Sequence, residues 1–277
     1  MFNYNGDFFT SDQLMLSSDN RAFKYGDAVF EIVKIAHGKV IFWEDHYFRL
    51  MASMRMLRMK IPIDFTLEFL EQEILKTIST DNKSSIQIAR LNIFRKDGGQ
   101  YLPKTNKVDY LIQLEEIDSL IQSKYTIDLF KDFFKYSGFL STVNSNNKLI
   151  NTLARVYAEE NEFDNCILLN ERKGVVEVCG GNLFLVKDNI VKTPPLSEGC
   201  TKGIIRGKVI EILSKNNDFK IEESVISPFE VQKADEIFIT NSVLGIQPVT
   251  NYRKKEFTTV TGKKIASSLR ILEVTTK

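Results

Sequence analysis

The sequence is poor in the residues that build metal and disulfide sites. Its 277 residues include three cysteines and two histidines, and no cysteines stand at a Cys-x-x-Cys spacing. This set predicts neither a metal site nor a disulfide framework, and reduced thiols suit a cytoplasmic protein. The net charge is only +1. A chain without a dominant charge gives no indication of nucleic acid or a membrane surface as a partner.

Long apolar runs are also missing. No segment approaches the roughly 18 consecutive apolar residues that cross a bilayer. The N-terminus lacks the basic stretch and apolar core of a signal peptide, so we expect a cytoplasmic protein. The hydrophobic content of 43% and the charged content of 26% are ordinary for a globular protein. The length is sufficient for one large domain or two medium ones.

The first 115 residues alternate between strand and helix patterns. Apolar, β-branched segments predict strands, and apolar residues at helical spacing predict helices. Strands are predicted at residues 29–35, 40–42, 86–94 and 108–114, and helices at residues 43–57 and 67–78. A turn at His37-Gly38-Lys39 separates the first two strands. Residues 1–115 are therefore predicted to form an α+β domain.

A second domain is predicted to follow a short linker. Residues 116–124 are polar and weakly patterned, and we assign the linker there. Residues 125–277 then mix strands and helices, which predicts a mixed α/β domain. Its strands are expected at residues 125–130, 167–169, 175–176, 183–186, 190–192 and 236–240, and its helices at residues 149–161 and 203–213.

Lys148 and Glu177 form the most informative pair of residues. Lys148 stands between a run of turn-forming residues and an amphipathic helix, and Glu177 follows the apolar strand Val175-Val176. Each residue alone is typical of an exposed surface position, because charged side chains are seldom buried. A lysine can hold an aldehyde cofactor as a Schiff base, and a buried carboxylate can keep a ring nitrogen protonated. Together they indicate a site for pyridoxal 5'-phosphate (PLP).

Three further positions could hold a phosphate group. Gly203 precedes a predicted helix, whose first N–H groups and dipole favour an anion, although a lone glycine often only permits a turn. Arg49 is a possible phosphate partner or a surface ion-pair residue. Ser242 offers a hydroxyl that could contact phosphate or cap a helix. Cys179, near Glu177, is most simply a small buried apolar residue.

Several motifs resemble those of one enzyme family, in the family's order and spacing. The matching segments are residues 21–31 (RAFKYGDAVFE), 46–50 (HYFRL), 148–151 (KLIN), 177–184 (EVCGGNLF), 203–206 (GIIR) and 241–249. They resemble the class IV (fold-type IV) PLP-dependent aminotransferases, which include branched-chain aminotransferases, D-amino acid aminotransferases and 4-amino-4-deoxychorismate lyases. The resemblance spans nearly the whole chain. It implies the two-domain α/β fold of that family, PLP as cofactor and a homodimer.

The resemblance also implies a role for individual residues. Lys148 would bind the cofactor covalently and, once released, act as acid and base, while Glu177 would pair with the pyridine nitrogen. The phosphate would be held by Arg49, by the backbone N–H groups of Ile204 and Ile205, and by Ser242. Contacts with the substrate are implied for Tyr25, Phe30, Arg95, Gln100 and Asn241.

Four features resemble the lyases of this family. The spacing from Lys148 to Asn151 matches lyases and D-amino acid aminotransferases better than branched-chain enzymes. Ile205 stands where most aminotransferases have a threonine, and Cys179 and residues 240–249 also resemble the lyase subgroup.

Two features point to the aminotransferases. Ile32 follows Phe30-Glu31 where lyases usually have a threonine, which is closer to the D-amino acid aminotransferases. Residues 95–101 resemble the Gly-Gly loop of the lyases, but Gln100 replaces the arginine expected to bind a substrate carboxylate. A neutral amide cannot make that charge-assisted, bidentate contact. Arg95 or Arg90 could take its place.

The balance favours aminodeoxychorismate lyase, which would make 4-aminobenzoate and pyruvate for folate biosynthesis. The alternative is an amino-acid aminotransferase of the D-amino acid or branched-chain type, with a role in amino acid metabolism. Both readings predict a small-molecule amino substrate. A third hypothesis is a binding protein that keeps the fold without the chemistry, and it predicts a colourless protein in which Lys148 lies outside a pocket.

Overall fold

The structure is a computed structural model that describes residues 1–13, 15–78, 86–115 and 121–275. The chain divides into two compact units. The first unit comprises Met1–Asp118 with Asn144–Asn147, and the second comprises Ser119–Val143 with Lys148–Lys277. Residues 116–120 of the predicted linker lie outside the described residues. Strands and helices are mixed in both units, so the predicted α/β class is confirmed.

The first unit is built on one antiparallel sheet. Its strands are β1 (Phe2–Tyr4), β2 (Asp7–Phe9), β3 (Ala28–Ala36), β4 (Lys39–Val40), β5 (Gln87–Arg95) and β6 (Val108–Glu115), and its helices are α1 (Arg21–Tyr25), α2 (Trp43–Met56) and α3 (Leu67–Lys76). The sheet order is β2-β1-β6-β5-β3-β4. Along β3, Glu31, Val33 and Ile35 are buried, whereas Ile32 and Lys34 are only half-buried. This period of two is expected for a strand with one covered face.

One predicted strand is longer than the observed strand, and a turn explains the difference. The strand expected at residues 40–42 ends at Val40, because Phe42 adopts a positive φ of 54° and turns the chain into α2. The short elements β1, β2 and α1 carry too few residues for a periodic signal and were not predicted. The tetrapeptide Asn144–Asn147 also belongs to this unit. Its hydrogen bonds run from Phe30 N to Asn144 O (2.8 Å) and from Asn146 N to Ala28 O (3.1 Å).

The second unit contains two five-stranded sheets. Its strands are β7 (Thr126–Leu129), β8 (Asn165–Leu169), β9 (Val175–Val178), β10 (Asn182–Lys187), β11 (Ile190–Thr193), β12 (Lys220–Glu223), β13 (Glu236–Asn241), β14 (Gly245–Val249), β15 (Asn251–Tyr252) and β16 (Lys255–Glu256). Its helices are α4 (Leu149–Glu160), α5 (Ile204–Ser214), α6 (Pro228–Lys233) and α7 (Val260–Thr275). The sheet orders are β12-β11-β10-β13-β14 and β16-β15-β7-β8-β9.

The two sheets of the second unit share an apolar core. Ile127 and Ile167 from one sheet pack in the same cluster as Leu183 and Ile237 from the other. Strands β8 and β9 form an antiparallel pair, and so do strands β10 and β11. Among the described residues, no helix is both long and apolar enough to cross a membrane.

Candidate active site

Glu177 is a buried carboxylate at the end of β9, with only 3% of its surface exposed. The Lys135 ammonium group donates to its Oε1 over 2.6 Å, and the Thr201 backbone N–H donates to its Oε2 over 2.7 Å. Burial of a carboxylate is costly unless charge and hydrogen bonds compensate it, and here both are present. Glu177 is therefore not one of the exposed glutamates that are usual in proteins.

The loop that bonds Glu177 leads directly into α5. Thr201 lies two residues before Gly203, which precedes the first residue of that helix, and no side chain caps the helix start. A Cβ at Gly203 would lie 2.1 Å from Asn182 Oδ1, so only glycine fits this approach. Asn182 also donates to Thr201 O over 2.8 Å. The first N–H groups of α5, including those of Ile204 and Ile205, are thus held close to the residues that hold Glu177.

The end of β13 is aligned with the same region. Thr240 pairs in register with Asn182, and its buried Oγ1 has no hydrogen-bond partner among the described residues. An orphaned buried hydroxyl beside an uncapped helix start is what a site for a polar group requires. Ser242 follows at the strand end. Asn241, predicted to contact substrate, uses its side-chain oxygen to accept the N–H groups of Val243 and Leu244, which makes it a turn residue.

Lys148 occupies the position just before α4 and is half-buried. Ala154 and Ala158 of α4 pack on Cys166 and Leu168 of β8. Strand β8 pairs with β9, and Leu168 stands opposite Glu177. The helix that begins at Lys148 therefore covers the strand pair that carries the buried carboxylate.

The cysteines near Glu177 are buried and inert. Burial raises the pKa of the Cys179 thiol to about 12 and that of Cys200 to about 11. Both thiols stay neutral near pH 7, which confirms Cys179 as a small buried residue rather than a nucleophile.

Arg49, the expected phosphate partner, forms a buried ionic network inside the first unit. Its Nε donates to Glu31 Oε1 over 2.8 Å, and its Nη2 also bonds Glu31. Nδ1 of His46 lies 2.6 Å from Glu31 Oε2. Burial acts to raise the pKa of Glu31, but Arg49 and His46 outweigh it and the pKa is lowered. Burial lowers the pKa of His46 despite the adjacent carboxylate, so the ring stays neutral.

Arg95 has a structural role, because its side chain is hydrogen-bonded to other parts of the protein. The side chain is buried, and its donors reach Asp27 Oδ2 (2.9 Å), Leu57 O (2.7 Å) and Asn106 Oδ1. These bonds fix the chain that leaves α2, and they use all three guanidinium nitrogens. Arg95 is thus poorly suited to the substrate contact predicted for it.

The remaining predicted substrate residues differ in their surroundings. Gln100 is exposed. Tyr25 is half-buried, with its ring centroid 5.9 Å from that of Tyr101. Phe30 is buried, and the Arg90 guanidinium lies 3.9 Å from its ring centroid. The pKa of Arg90 is lowered by burial, and its Nε donates to Asn92 Oδ1 over 3.2 Å.

Comparison with known proteins identifies the family. A family model described as amino-transferase class IV matches residues 28–252. The chain belongs to the class IV aminotransferases. Enzymes of this family use PLP, and the resemblance found in the motifs is confirmed.

Relatives of this class IV aminotransferase differ in their named reactions. It is 25% identical to an aminodeoxychorismate lyase of Vibrio harveyi over 86% of this chain and 87% of that protein. It is also 25% identical to a D-alanine aminotransferase of Bacillus licheniformis over 90% of this chain and 87% of that protein. The structure of a branched-chain aminotransferase from Thermoproteus uzoniensis matches the fold with a TM-score of 0.89, at 22% identity over 99% and 94% of the two chains.

The second unit of this class IV aminotransferase fits PLP at two of its polar ends. The buried Glu177 offers a carboxylate for a ring nitrogen, and the start of α5, with the orphaned Thr240 hydroxyl, offers donors for a phosphate. The sequence missed Lys135 and Thr201. Both lie in irregular segments without periodicity or motif, so only the fold brings them to Glu177.

Proposed function

We propose that this class IV aminotransferase is an aminodeoxychorismate lyase, which converts aminodeoxychorismate to 4-aminobenzoate and pyruvate. The observation that carries the proposal is the built conformation of the Gly98-Gly99 loop, the segment that resembles the lyases. Gly98 and Gly99 have φ values of 101° and 82°, and a Cβ at Gly99 would lie 2.2 Å from Leu102 O. Residues other than glycine are strained in that backbone region.

Arg21 hydrogen-bonds the backbone of this loop. Its Nη1 donates to the carbonyls of Gly98 (3.2 Å) and Gln100 (2.6 Å), and its Nε bonds Asp27. A loop fixed by a buried guanidinium is suited to shaping a binding site, since it loses little entropy when a ligand binds. Ile205 supports the same proposal, because it gives the start of α5 no side-chain hydroxyl, unlike the threonine of most aminotransferases.

In the proposed reaction, Lys148 moves the proton. PLP, when bound, would supply electron withdrawal at the ring carbon that carries the substrate amine. Lys148 Nζ removes the proton from this carbon. The electron pair of the broken C–H bond then expels enolpyruvate, and the ring becomes aromatic. The enolpyruvate oxygen takes up a proton, and the enol becomes pyruvate. Glu177 keeps the cofactor's ring nitrogen protonated through the charge of its buried carboxylate.

The start of α5, where no described side chain caps the helix, supports the N–H groups of Ile204 and Ile205 as phosphate contacts. The hydroxyl of Ser242 and the guanidinium of Arg49 are proposed as phosphate contacts on the family resemblance alone. On the same resemblance we propose that the protein forms a homodimer. We propose a cytoplasmic location from the free thiols, and a role in folate biosynthesis from the proposed lyase reaction.

Arg90 favours an amino-acid aminotransferase as the second candidate. It is half-buried over Phe30, and its Nε donates to a neutral acceptor, Asn92 Oδ1, over 3.2 Å. A partly desolvated guanidinium is well suited to bind a carboxylate ligand. Because Arg95 is committed to protein acceptors, Arg90 is the better candidate to bind the carboxylate of an amino acid.

One assay separates the two functions. The PLP-loaded protein is incubated with aminodeoxychorismate, and separately with L- and D-amino acids plus 2-oxoglutarate. We expect 4-aminobenzoate and pyruvate from the first reaction and no glutamate from the second. Glutamate without 4-aminobenzoate would establish the aminotransferase instead. An Arg90→Gln variant then serves as a probe, because an aminotransferase that uses Arg90 would show a raised KM for its amino acid.

A further inference from the structure

Lys135 is the one side-chain cation bonded to Glu177 in the described structure. Its Nζ lies 2.6 Å from Glu177 Oε1, and the side chains are only 12% and 4% exposed. The lysine is also held by its backbone, since its N–H donates to Leu169 O over 2.8 Å and it bridges to Asn170 at the end of β8. A lysine rarely occupies so enclosed a position without a charged partner.

Two contacts fix the Glu177 carboxylate in both charge and orientation. Thr201 N–H bonds Oε2 at 2.7 Å, and Lys135 bonds Oε1. A carboxylate that protonates cannot hold the nitrogen of a pyridine ring in its protonated form. A buried carboxylate without a cation protonates more readily, because desolvation penalises its charged form. The nearby cation therefore keeps available the acceptor that the ring nitrogen requires.

We propose that Lys135 is a positioning residue for the cofactor, which keeps Glu177 ionised and aimed so that PLP binds with its ring nitrogen protonated. This inference rests on the role proposed for Glu177. Lys135 itself contacts neither substrate nor reacting atoms in this account. Its role is to act through the carboxylate.

Other ionisable groups near Glu177 do not supply the same effect. Cys179 and Cys200 face it, but burial raises the pKa of these thiols to about 12 and about 11, so they stay neutral. Arg206, which faces Cys200, is bonded to Glu223 and to Pro194 O. Among these groups, Lys135 is the one that contacts the Glu177 carboxylate directly.

The test compares Lys135→Met with Lys135→Arg and with Lys131→Met, a matched control at an exposed lysine four residues earlier. PLP is titrated into each apoprotein from pH 6 to pH 9, and its dissociation constant is measured from its absorbance. We expect Lys135→Met to bind PLP about tenfold to a hundredfold more weakly at pH 7, the range for losing one charge-assisted bond. Its affinity should also change more steeply with pH across this range than that of the wild-type protein.

The controls define the outcome. Lys135→Arg should restore most of the affinity and the wild-type pH profile, and Lys131→Met should match wild type. Unchanged or tighter PLP binding by Lys135→Met, or weaker binding with an unaltered pH profile, would overturn the inference. Failure of the wild-type protein to bind PLP would instead refute the proposed function, so the two failures are distinct.

Discussion

Replacing Glu31 by glutamine should destabilise the first unit strongly, because it removes a charge that compensates the buried Arg49. Glu31 is 1% exposed and the Arg49 side chain 9% exposed. Glutamine keeps the shape but can accept only one of the two hydrogen bonds from Arg49, and it carries no charge. Breaking a buried ion pair at one partner costs about 3–5 kcal/mol. We expect Glu31→Gln to lose a free energy of unfolding in that range.

The single tryptophan makes the measurement local. Trp43 is buried in α2, so its fluorescence during urea unfolding reports on the unit that holds Glu31. Asp19→Asn is the matched control in the same unit: Asp19 forms an exposed pair with Lys24, whose loss costs about 1 kcal/mol or less. A double variant, Glu31→Gln with Arg49→Met, should be less destabilised than the sum of its single changes.

A loss below about 1 kcal/mol in Glu31→Gln would contradict the reasoning, since exposed pairs lie in that range. Strict additivity in the double variant would contradict it as well. Either result would mean that water reaches Arg49 and that the charge network contributes little to the fold.

Two further predictions follow from burial and close packing. Burial lowers the pKa of His46 below its usual value of 6.5. Below about pH 6.5, His46 therefore binds a proton in the unfolded chain but not in the folded chain. The free energy of unfolding should then fall with pH, by up to about 1.4 kcal/mol per pH unit. Urea unfolding at pH 5.5 and 7.5 should show this slope in wild type and in the exposed-site control His37→Gln, and a flatter slope in His46→Gln; equal slopes in all three would refute it. Gly203→Ala should destabilise the protein by about 1–3 kcal/mol and weaken PLP binding, because the new Cβ meets Asn182. The control Gly207→Ala, which has open space in the same helix, should be neutral or stabilising by up to about 1 kcal/mol. Thermal melts and PLP titrations that show the same behaviour for both variants would contradict this prediction.

Local patterns were sufficient for the long elements of the fold. Strand β5 and helix α4 follow the periodicities of alternating and helical apolar residues, and both were predicted to within two residues at each end. The tetrapeptide Asn144–Asn147 shows the limit of that approach. Its turn-forming composition gives no sign that its backbone bonds to β3, because that partner lies more than a hundred residues earlier.

The candidate site was predictable where its motifs are contiguous. Lys148 and Glu177 were predicted from their flanking residues, and the structure adds that Glu177 is buried. The protein partners of Arg95 were not predicted, because a guanidinium in a strand gives no sequence signal of whether its partners are substrate or protein. Lys135 was missed for the same reason, since its partner is reached only through the fold.

We propose that Lys148 binds PLP covalently. Treating the PLP-loaded protein with borohydride makes the bond between cofactor and lysine permanent, and peptide mass spectrometry then locates the modified residue. We expect a pyridoxyl phosphate adduct on Lys148 alone, and no adduct in Lys148→Ala. An adduct on Lys135 or another lysine, or none on a PLP-saturated protein, would contradict it.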